Sequence, residues 1–91
     1  MPWQIELKPK AKRALARLDR PVQQCILDFL VRLGGTENPR HTGEALQGEH
    51  GLWKYRVGDY RLVARIQDRQ LIVLVVKIGH RRAVYRDLPK N

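Results

Sequence analysis

The chain begins with an alternation of apolar and polar residues and then changes to a helical spacing. Trp3, Ile5 and Leu7 alternate with polar residues, which predicts a short β-strand that stops near Pro9. Apolar residues then recur three and four positions apart, which predicts an amphipathic helix with basic residues on its outside. The apolar positions of this helix are Ala11, Ala14, Leu15 and Leu18.

A second amphipathic helix is predicted directly after the first. Asp19 is a candidate cap, and Pro21 lies in the first turn, where proline is favoured. One apolar stripe then runs over three turns and consists of Val22, Cys25, Ile26, Phe29, Leu30 and Leu33. Gly34 and Gly35 end it. We expect a helical hairpin in which Cys25 is a buried core residue rather than a nucleophile.

The remainder of the chain has the pattern of β-structure. Residues 36–51 form a polar connection in which only Ala45 and Leu46 are apolar anchors. Three strands are predicted after it, at residues 52–57, 60–67 and 70–78. The dipeptides between them, Gly58-Asp59 and Asp68-Arg69, are predicted to be two-residue hairpin turns.

The order of these elements predicts an α+β fold. The order is β-α-α-β-β-β, in which the helical hairpin packs on one face of a mostly antiparallel four-stranded sheet. Residues 71–76 are apolar at every position, so we expect this strand inside the sheet, next to the first strand and covered on both faces. With a length of 91 residues, we expect one domain over residues 1–91.

The turn at Gly58-Asp59 predicts which side chains share a face of the sheet. It places Arg56 directly opposite Arg61, with side chains alternating between the two faces. One face then receives the apolar residues Trp53, Tyr55, Val57, Tyr60, Leu62, Ala64 and Ile66, and packs on the helices. The other face receives Lys54, Arg56, Arg61 and Arg65, and these strands place no acid there. Because like charges directly opposite each other destabilise a sheet, we expect a bound phosphate chain to supply the missing negative charge.

The overall charge supports a polyanionic partner. The chain has 18 Lys and Arg against 9 Asp and Glu, a net charge of +9. Residues 51–91 hold ten of these basic residues and three acids, a net of +7. A balance of this kind is typical of proteins that meet nucleic acids or other polyanions. The single cysteine and the absence of a signal peptide or membrane span predict a cytoplasmic protein with no membrane partner.

Several kinds of catalytic site are excluded. The three histidines have no cysteine or aspartate pair at metal-ligand spacing, so we expect no metal and no cofactor. The sequence contains no serine, which rules out a serine triad, and no glycine-rich phosphate loop is present. The remaining possibility is a site whose chemistry depends on positively charged Lys and Arg side chains.

Cleavage of RNA by its own 2′-hydroxyl suits such a set of cations. The reaction needs a base for that hydroxyl, positive charge around the phosphorane and an acid for the leaving oxygen. Lys54, Arg56 and Arg61 supply the charge, Lys54 is a candidate base among arginines, and Tyr85 is a candidate proton shuttle or stacking residue. Neither Lys nor Tyr titrates near neutral pH on its own, so something else must position the substrate.

Two segments stand out as a signature: GLWKYRVGDYRLV at residues 51–63 and VKIGHRRAVY at residues 76–85. They resemble the RelE family of toxins from type II toxin–antitoxin systems, and the resemblance extends over nearly the whole chain. It implies an endoribonuclease that cuts mRNA in the A site of the 70S ribosome and so inhibits translation. It also implies a cognate RelB-like antitoxin encoded next to the toxin, and contact with operator DNA only through the toxin–antitoxin complex.

The resemblance also implies roles for individual residues. The family's catalytic set falls on Lys54, Arg56, Arg61, Arg81 and Tyr85. In this set Lys54 matches the candidate base, Arg81 the residue that protonates the leaving group, and Tyr85 the tyrosine that stacks on the nucleotide. Arg56 replaces a lysine of some members, which keeps the charge and removes a base, so the proton acceptor stays open. We interpret His80 as a positioning residue.

Further basic residues are candidates for contact with RNA or the ribosome: Lys8, Lys10, Lys12, Arg13, Arg65 and Arg82. Those around the first helix are equally explained as a solvated helix face. Two other functions remain as alternatives to the nuclease. One is a ParE-like poison that binds DNA gyrase without cutting RNA, and the other is an RNA-binding module without catalysis.

Overall fold

Two helices and five strands make up the protein in our computed structural model, which describes residues 3–46 and 51–85. In chain order they are β1 (Gln4–Leu7), α1 (Pro9–Ala16), α2 (Arg20–Gly34), β2 (Glu44–Ala45), β3 (Leu52–Val57), β4 (Tyr60–Gln67) and β5 (Ile72–His80). None of the helices in these two ranges is long and apolar enough to cross a bilayer.

The sheet has the predicted architecture with one additional strand. Its order is β1-β5-β4-β3-β2, in which β1 and β5 are parallel and all other pairs are antiparallel. The predicted α+β fold, with a helical hairpin on a mostly antiparallel sheet, is therefore confirmed. The apolar strand β5 lies inside the sheet next to β1, as its uninterrupted hydrophobic sequence predicts.

The prediction of four strands is wrong because the polar connection contains β2. This strand is two residues long and pairs Glu44 with Lys54 and Ala45 with Trp53. A segment of two residues is too short to produce a periodic pattern. Its pairing depends on contact with the edge of β3 and not on a pattern within its own sequence.

The two hairpin turns differ from each other. Gly58-Asp59 is a two-residue turn, as predicted, with Val57 opposite Tyr60 and Arg56 opposite Arg61. Gly58 has φ of 59°, the left-handed value that a type II′ turn requires at its first central residue. The second predicted turn is wrong: four residues, 68–71, join β4 to β5, and Leu71 adopts φ of 55°. Asp68-Arg69 contains no glycine to supply the positive φ of a two-residue turn, so the loop is longer.

Each face of the sheet has its own cluster of buried apolar residues. On the helix face, where α1 and α2 pack, Tyr55, Leu62 and Ala64 are buried with Ile26 and other helix residues, as the alternation predicts. On the opposite, outer face lies a smaller apolar cluster, which we call the outer cluster. It consists of Leu52, Val63, Val76 and Val84, with Leu46 and Leu74 packed against them.

The helix α2 presents a narrower apolar face to the core than the sequence predicts. Ile26, Leu30 and Leu33 are buried, whereas Cys25 is exposed, so its prediction as a core residue is wrong. Each residue turns a helix by about 100°, which carries Cys25 away from the face centred on Ile26. Asp19 is at the N-cap position, but its side chain forms no capping hydrogen bond.

The loop between α2 and β2 is held against the sheet by three contacts. Arg40 forms two hydrogen bonds with Asp68, of 2.9 and 2.7 Å, and its guanidinium lies 5.7 Å from the ring centroid of Trp53. The buried Tyr55 hydroxyl donates to the Pro39 carbonyl at 2.7 Å. These contacts join the loop to β3 and to the β4–β5 loop, and so fix the start of β2.

Loss of the Arg40–Asp68 ion pair is expected to weaken the fold in a pH-dependent way. The hydrogen bonds and charge of Arg40 lower the pKa of Asp68, so the pair contributes stability above the unfolded-state pKa and loses it as the pH falls through the folded-state pKa. We expect Asp68→Asn to lower the free energy of unfolding by about 0.5–1 kcal/mol at pH 7, a small effect because the pair is exposed to solvent. Near pH 2 the substitution should leave the free energy of unfolding unchanged. Urea unfolding at both pH values measures this, with Glu37→Gln as the control; an equal cost at both values would contradict it.

Candidate functional site

An open pocket of about 270 Å³ lies on the outer face of the sheet. We call it the cationic pocket, and it is lined by Thr42, Gly43, Glu44, Lys54, Tyr55, Arg56, Arg61 and Tyr85. Four of the five residues predicted to be catalytic are therefore brought together: Lys54, Arg56, Arg61 and Tyr85. The fifth, Arg81, is exposed and is not among the described residues that line the pocket.

The register of the β3–β4 hairpin creates the positive charge of this pocket. Arg56 is paired directly with Arg61, and Lys54 is two residues along β3 on the same face. One guanidinium nitrogen of Arg61 donates to the carbonyls of Gly58 and Tyr60, at 2.9 and 3.0 Å. These bonds hold Arg61 beside the turn and leave its other guanidinium donors for an anion.

Glu44 places an acid on this face, which the alternation in β3 and β4 does not predict. Its Oε1 atom lies 3.5 Å from the Nζ atom of Lys54, its register partner across β2 and β3. Both side chains are partly exposed, so the pair contributes little to stability. The expectation that the face has no acid holds for β3 and β4 but is wrong for the whole face, because β2 was not predicted.

A glycine and a tyrosine bring β2 close enough to form this pair. A Cβ atom on Gly43 would lie 2.6 Å from the ring of Tyr55 and 2.9 Å from the Lys54 carbonyl oxygen, so the backbone can approach β3 only without a side chain. Burial raises the pKa of Tyr55 to about 12. Because its hydroxyl also donates to Pro39, Tyr55 supports the pocket wall and supplies no proton near neutral pH.

Tyr85 is placed by the residue before it. Val84 is completely buried in the outer cluster, and its N–H donates to the His80 carbonyl at 3.0 Å. This turn leaves Tyr85 partly exposed, with its ring centroid 6.0 Å from Lys54 Nζ, within the range of a cation–π contact.

The outer cluster anchors both walls of the pocket. Leu46, two residues after Glu44, packs against the same buried side chains as Val84, and its N–H donates to the Leu52 carbonyl at 2.9 Å. Glu44 and Tyr85 therefore approach Lys54 from segments that share one apolar support. Sequence periodicity did not indicate this, because Leu46 and Val84 lie outside the long strands.

The other candidate residues lie away from the pocket lining. Arg81 donates its backbone N–H to the Asp59 carbonyl at 2.9 Å, which ties the start of the C-terminal turn to the β3–β4 hairpin. The ring of His80 makes an edge contact with Tyr60, which belongs to the helix face, at 5.8 Å between centroids. The positioning role of His80 stays a prediction.

The basic residues predicted to contact RNA or the ribosome are spread over three parts of the molecule. Lys8, Lys10, Lys12 and Arg13 are exposed at the start of α1, Arg65 is half-buried on β4, and Arg82 is exposed after β5. Their roles stay predictions. Across residues 3–46 and 51–85 there is no group of three His, Cys, Asp or Glu side chains that could hold a metal ion.

Comparisons with known proteins agree on one family. The family model that describes the ParE toxin of the type II toxin–antitoxin system parDE matches residues 5–85. Toxin RelG of Mycobacterium tuberculosis is 30% identical over 87 residues, which cover 94% of this chain and 99% of the relative. Toxin RelE of the same organism is 32% identical over 89 residues, covering 97% and 91%.

The fold is also similar to that of a solved toxin–antitoxin complex. A chain of the complex RelBE2 from Mycobacterium tuberculosis superposes with a TM-score of 0.80 at 28% sequence identity. The match covers 89% of this chain and 93% of that one.

Proposed function

The chain belongs to the family of ParE and RelE toxins of type II toxin–antitoxin systems, and from that premise we propose that it is a ribosome-dependent endoribonuclease. Its substrate would be mRNA in the ribosomal A site, and its activity would be neutralised by an antitoxin encoded next to it. The observation that carries this proposal is the cationic pocket. There, three cations and an aromatic ring surround a space open to solvent.

The chemistry of the pocket suits attack by a 2′-hydroxyl on the adjacent phosphate. The 2′-oxygen forms a bond to phosphorus, the bond from phosphorus to the 5′-oxygen breaks, and the products are a 2′,3′-cyclic phosphate and a 5′-hydroxyl. Negative charge develops on the phosphorane oxygens between these events. Arg56 and Arg61 present their guanidinium groups on the same strand pair, where they would stabilise that charge.

Glu44 is a better proton acceptor than Lys54. A lysine that pairs with a carboxylate does so as an ammonium ion, and an ammonium ion accepts no proton. Glu44 is the carboxylate among the described residues that line the pocket. We therefore assign the 2′-hydroxyl proton to Glu44 and an electrostatic role to Lys54. The assignment of Arg81 as the acid rests on the resemblance alone.

The need for a ribosome follows from the weak acid–base chemistry of the pocket. An arginine hardly releases a proton in water, and Tyr85 is partly exposed with no strong base beside it in the described structure. Most of the rate must then come from holding the 2′-oxygen, phosphorus and leaving oxygen in line. A ribosome that fixes the codon in its A site would supply that positioning.

An antitoxin partner is supported by the solved relatives and by the surface of this chain. The complex RelBE2 is a toxin bound to its antitoxin. The net charge of +9 favours an acidic partner, and Leu27 and Val31 of α2 expose 43% and 77% of their surface, which is typical of a surface that a partner covers.

The proposal predicts cleavage that depends on both the ribosome and Arg61. Primer extension on a defined mRNA, with purified protein and programmed 70S ribosomes, should show cuts within the A-site codon that vanish without ribosomes. Arg61→Ala should lower the rate at least 100-fold, since it removes a charge that faces the phosphorane. Arg69→Ala, in the exposed loop between β4 and β5, is the control and should cut at the wild-type rate.

The same reactions separate the alternatives. Addition of the product of the neighbouring gene should abolish the cuts. Wild-type cleavage by Arg61→Ala would contradict the proposed site. The name of the matching family model favours the second candidate, a ParE-like gyrase poison. No cuts on programmed ribosomes, together with inhibition of DNA supercoiling by gyrase, would replace the nuclease by that function.

The role of Glu44 predicts a separate effect on rate and binding. Glu44→Gln keeps the shape of the side chain but removes the proton acceptor and the negative charge beside Lys54. We expect the single-turnover rate to fall about 100-fold, while binding to programmed ribosomes stays equal or becomes tighter. Glu37→Gln is the control. An unchanged rate for Glu44→Gln would return the role of base to another residue.

A further inference from the structure

A second groove begins where the cationic pocket ends. Asp28, Phe29 and Arg32 of α2 face Arg56, Val57 and Gly58 at the end of β3 across an open groove, which we call the Arg32 groove. Arg56 lines both the groove and the cationic pocket. A ligand that lies along Arg56 can therefore occupy both without leaving the surface of the protein.

The edge of β3 is open at this point. Within residues 3–46 and 51–85, β2 pairs with β3 only at Trp53 and Lys54, so in this part of the chain no strand lies beside Tyr55 to Val57 on that side. The turn residue Gly58 carries no side chain and has no atom within 4 Å of the position that a Cβ would occupy. The groove thus leads from the outer face of the sheet, around its edge, towards α2.

The groove combines two cations with an aromatic ring. Arg32 and Arg56 are both exposed, and within residues 3–46 and 51–85 neither has a carboxylate at ion-pair distance. Phe29 is half-buried and lines the same groove, with its ring 5.7 Å from that of Tyr55. Cations spaced along an aromatic surface are the features by which proteins bind single-stranded nucleic acid without reading its sequence.

We propose that the Arg32 groove binds the nucleotide next to the one whose phosphate occupies the cationic pocket. Arg32 holds the outer phosphate, Arg56 holds the phosphate shared by the two sites, and the base lies against Phe29. This inference rests on the proposed function, because it takes single-stranded RNA as the ligand of the pocket. It adds to that function a second binding site on α2, and it makes Arg32 a binding residue.

Asp28 gives the groove a preference among bases. Its Oδ1 atom accepts a hydrogen bond from the Gln24 side-chain amide at 2.9 Å, which holds the carboxylate in place. A carboxylate has capacity for further donors, and exocyclic amino groups of bases are such donors. The groove is therefore expected to favour a base that has an amino group over uracil.

The binding of short RNAs tests the groove directly. The probes are a dinucleotide and a trinucleotide labelled with fluorescein, each with a 2′-deoxy sugar at the reacting position so that no cleavage occurs. Their binding is measured by fluorescence anisotropy at low salt. We expect Arg32→Ala to weaken trinucleotide binding about fivefold and to leave dinucleotide binding unchanged. The slope of the logarithm of the trinucleotide binding constant against the logarithm of the salt concentration should fall in magnitude by about 0.7. Arg32→Lys keeps the charge without the planar guanidinium, so its affinity for the trinucleotide should lie between those of the wild type and Arg32→Ala.

Arg17→Ala is the matched control, because it removes the same charge from an exposed position at the end of α1. Equal losses of trinucleotide affinity for Arg32→Ala and Arg17→Ala would overturn the proposal that the groove binds a nucleotide. So would a wild-type protein that binds the trinucleotide no more tightly than the dinucleotide. A loss of antitoxin binding by Arg32→Ala with RNA binding intact would overturn it in favour of a protein ligand. Failure of the proposed function has a different signature: Arg61→Ala would then bind both RNAs like the wild type.

Discussion

The opposition of two arginines across a tight hairpin is the constraint on which the rest of the structure depends. Arg56 and Arg61 face each other because the two-residue turn at Gly58 fixes the register of β3 and β4. A shift of β4 by one residue would relieve the repulsion, but it would also turn Leu62 out of the helix-side core. The apolar face of the hairpin therefore enforces the charge density of the other face.

The outer face needs its own support in order to keep these charges in place. Next to the cations lies the outer cluster, in which Val84 and Leu46 anchor the segments that carry Tyr85 and Glu44. The ion pair between Arg40 and Asp68 holds the loop before Glu44 from the other side. The pocket is thus built from short segments that fold back onto a long hairpin, and its electrostatics depend on packing at a distance from the charged atoms.

Sequence periodicity predicted the features that depend on long, regular segments. The register that brings Lys54, Arg56 and Arg61 to one face followed from the alternation in β3 and β4 and from one glycine. Glu44 could not be predicted in the same way, because a two-residue strand has no period and its position is set by backbone pairing with β3 and by the packing of Leu46. Cys25 was predicted wrongly because it lies about 100° around α2 from Ile26, away from the buried face of the helix. Tyr85 was found by resemblance, and the packing of Val84 explains its position.

The most direct test of this account is the stability of the protein when one of the opposed charges is removed. Urea unfolding of Arg56→Gln should give a free energy of unfolding about 0.5–1 kcal/mol above that of the wild type at low salt, because the substitution relieves a like-charge pair. The gain should exceed that of Arg17→Gln. It should also shrink in 1 M salt, because the Debye length there is only about 3 Å and the repulsion between the two arginines is screened. A loss of stability, or a gain equal to that of Arg17→Gln at every salt concentration, would contradict the claim that this face is held in a repulsive arrangement for an anionic ligand.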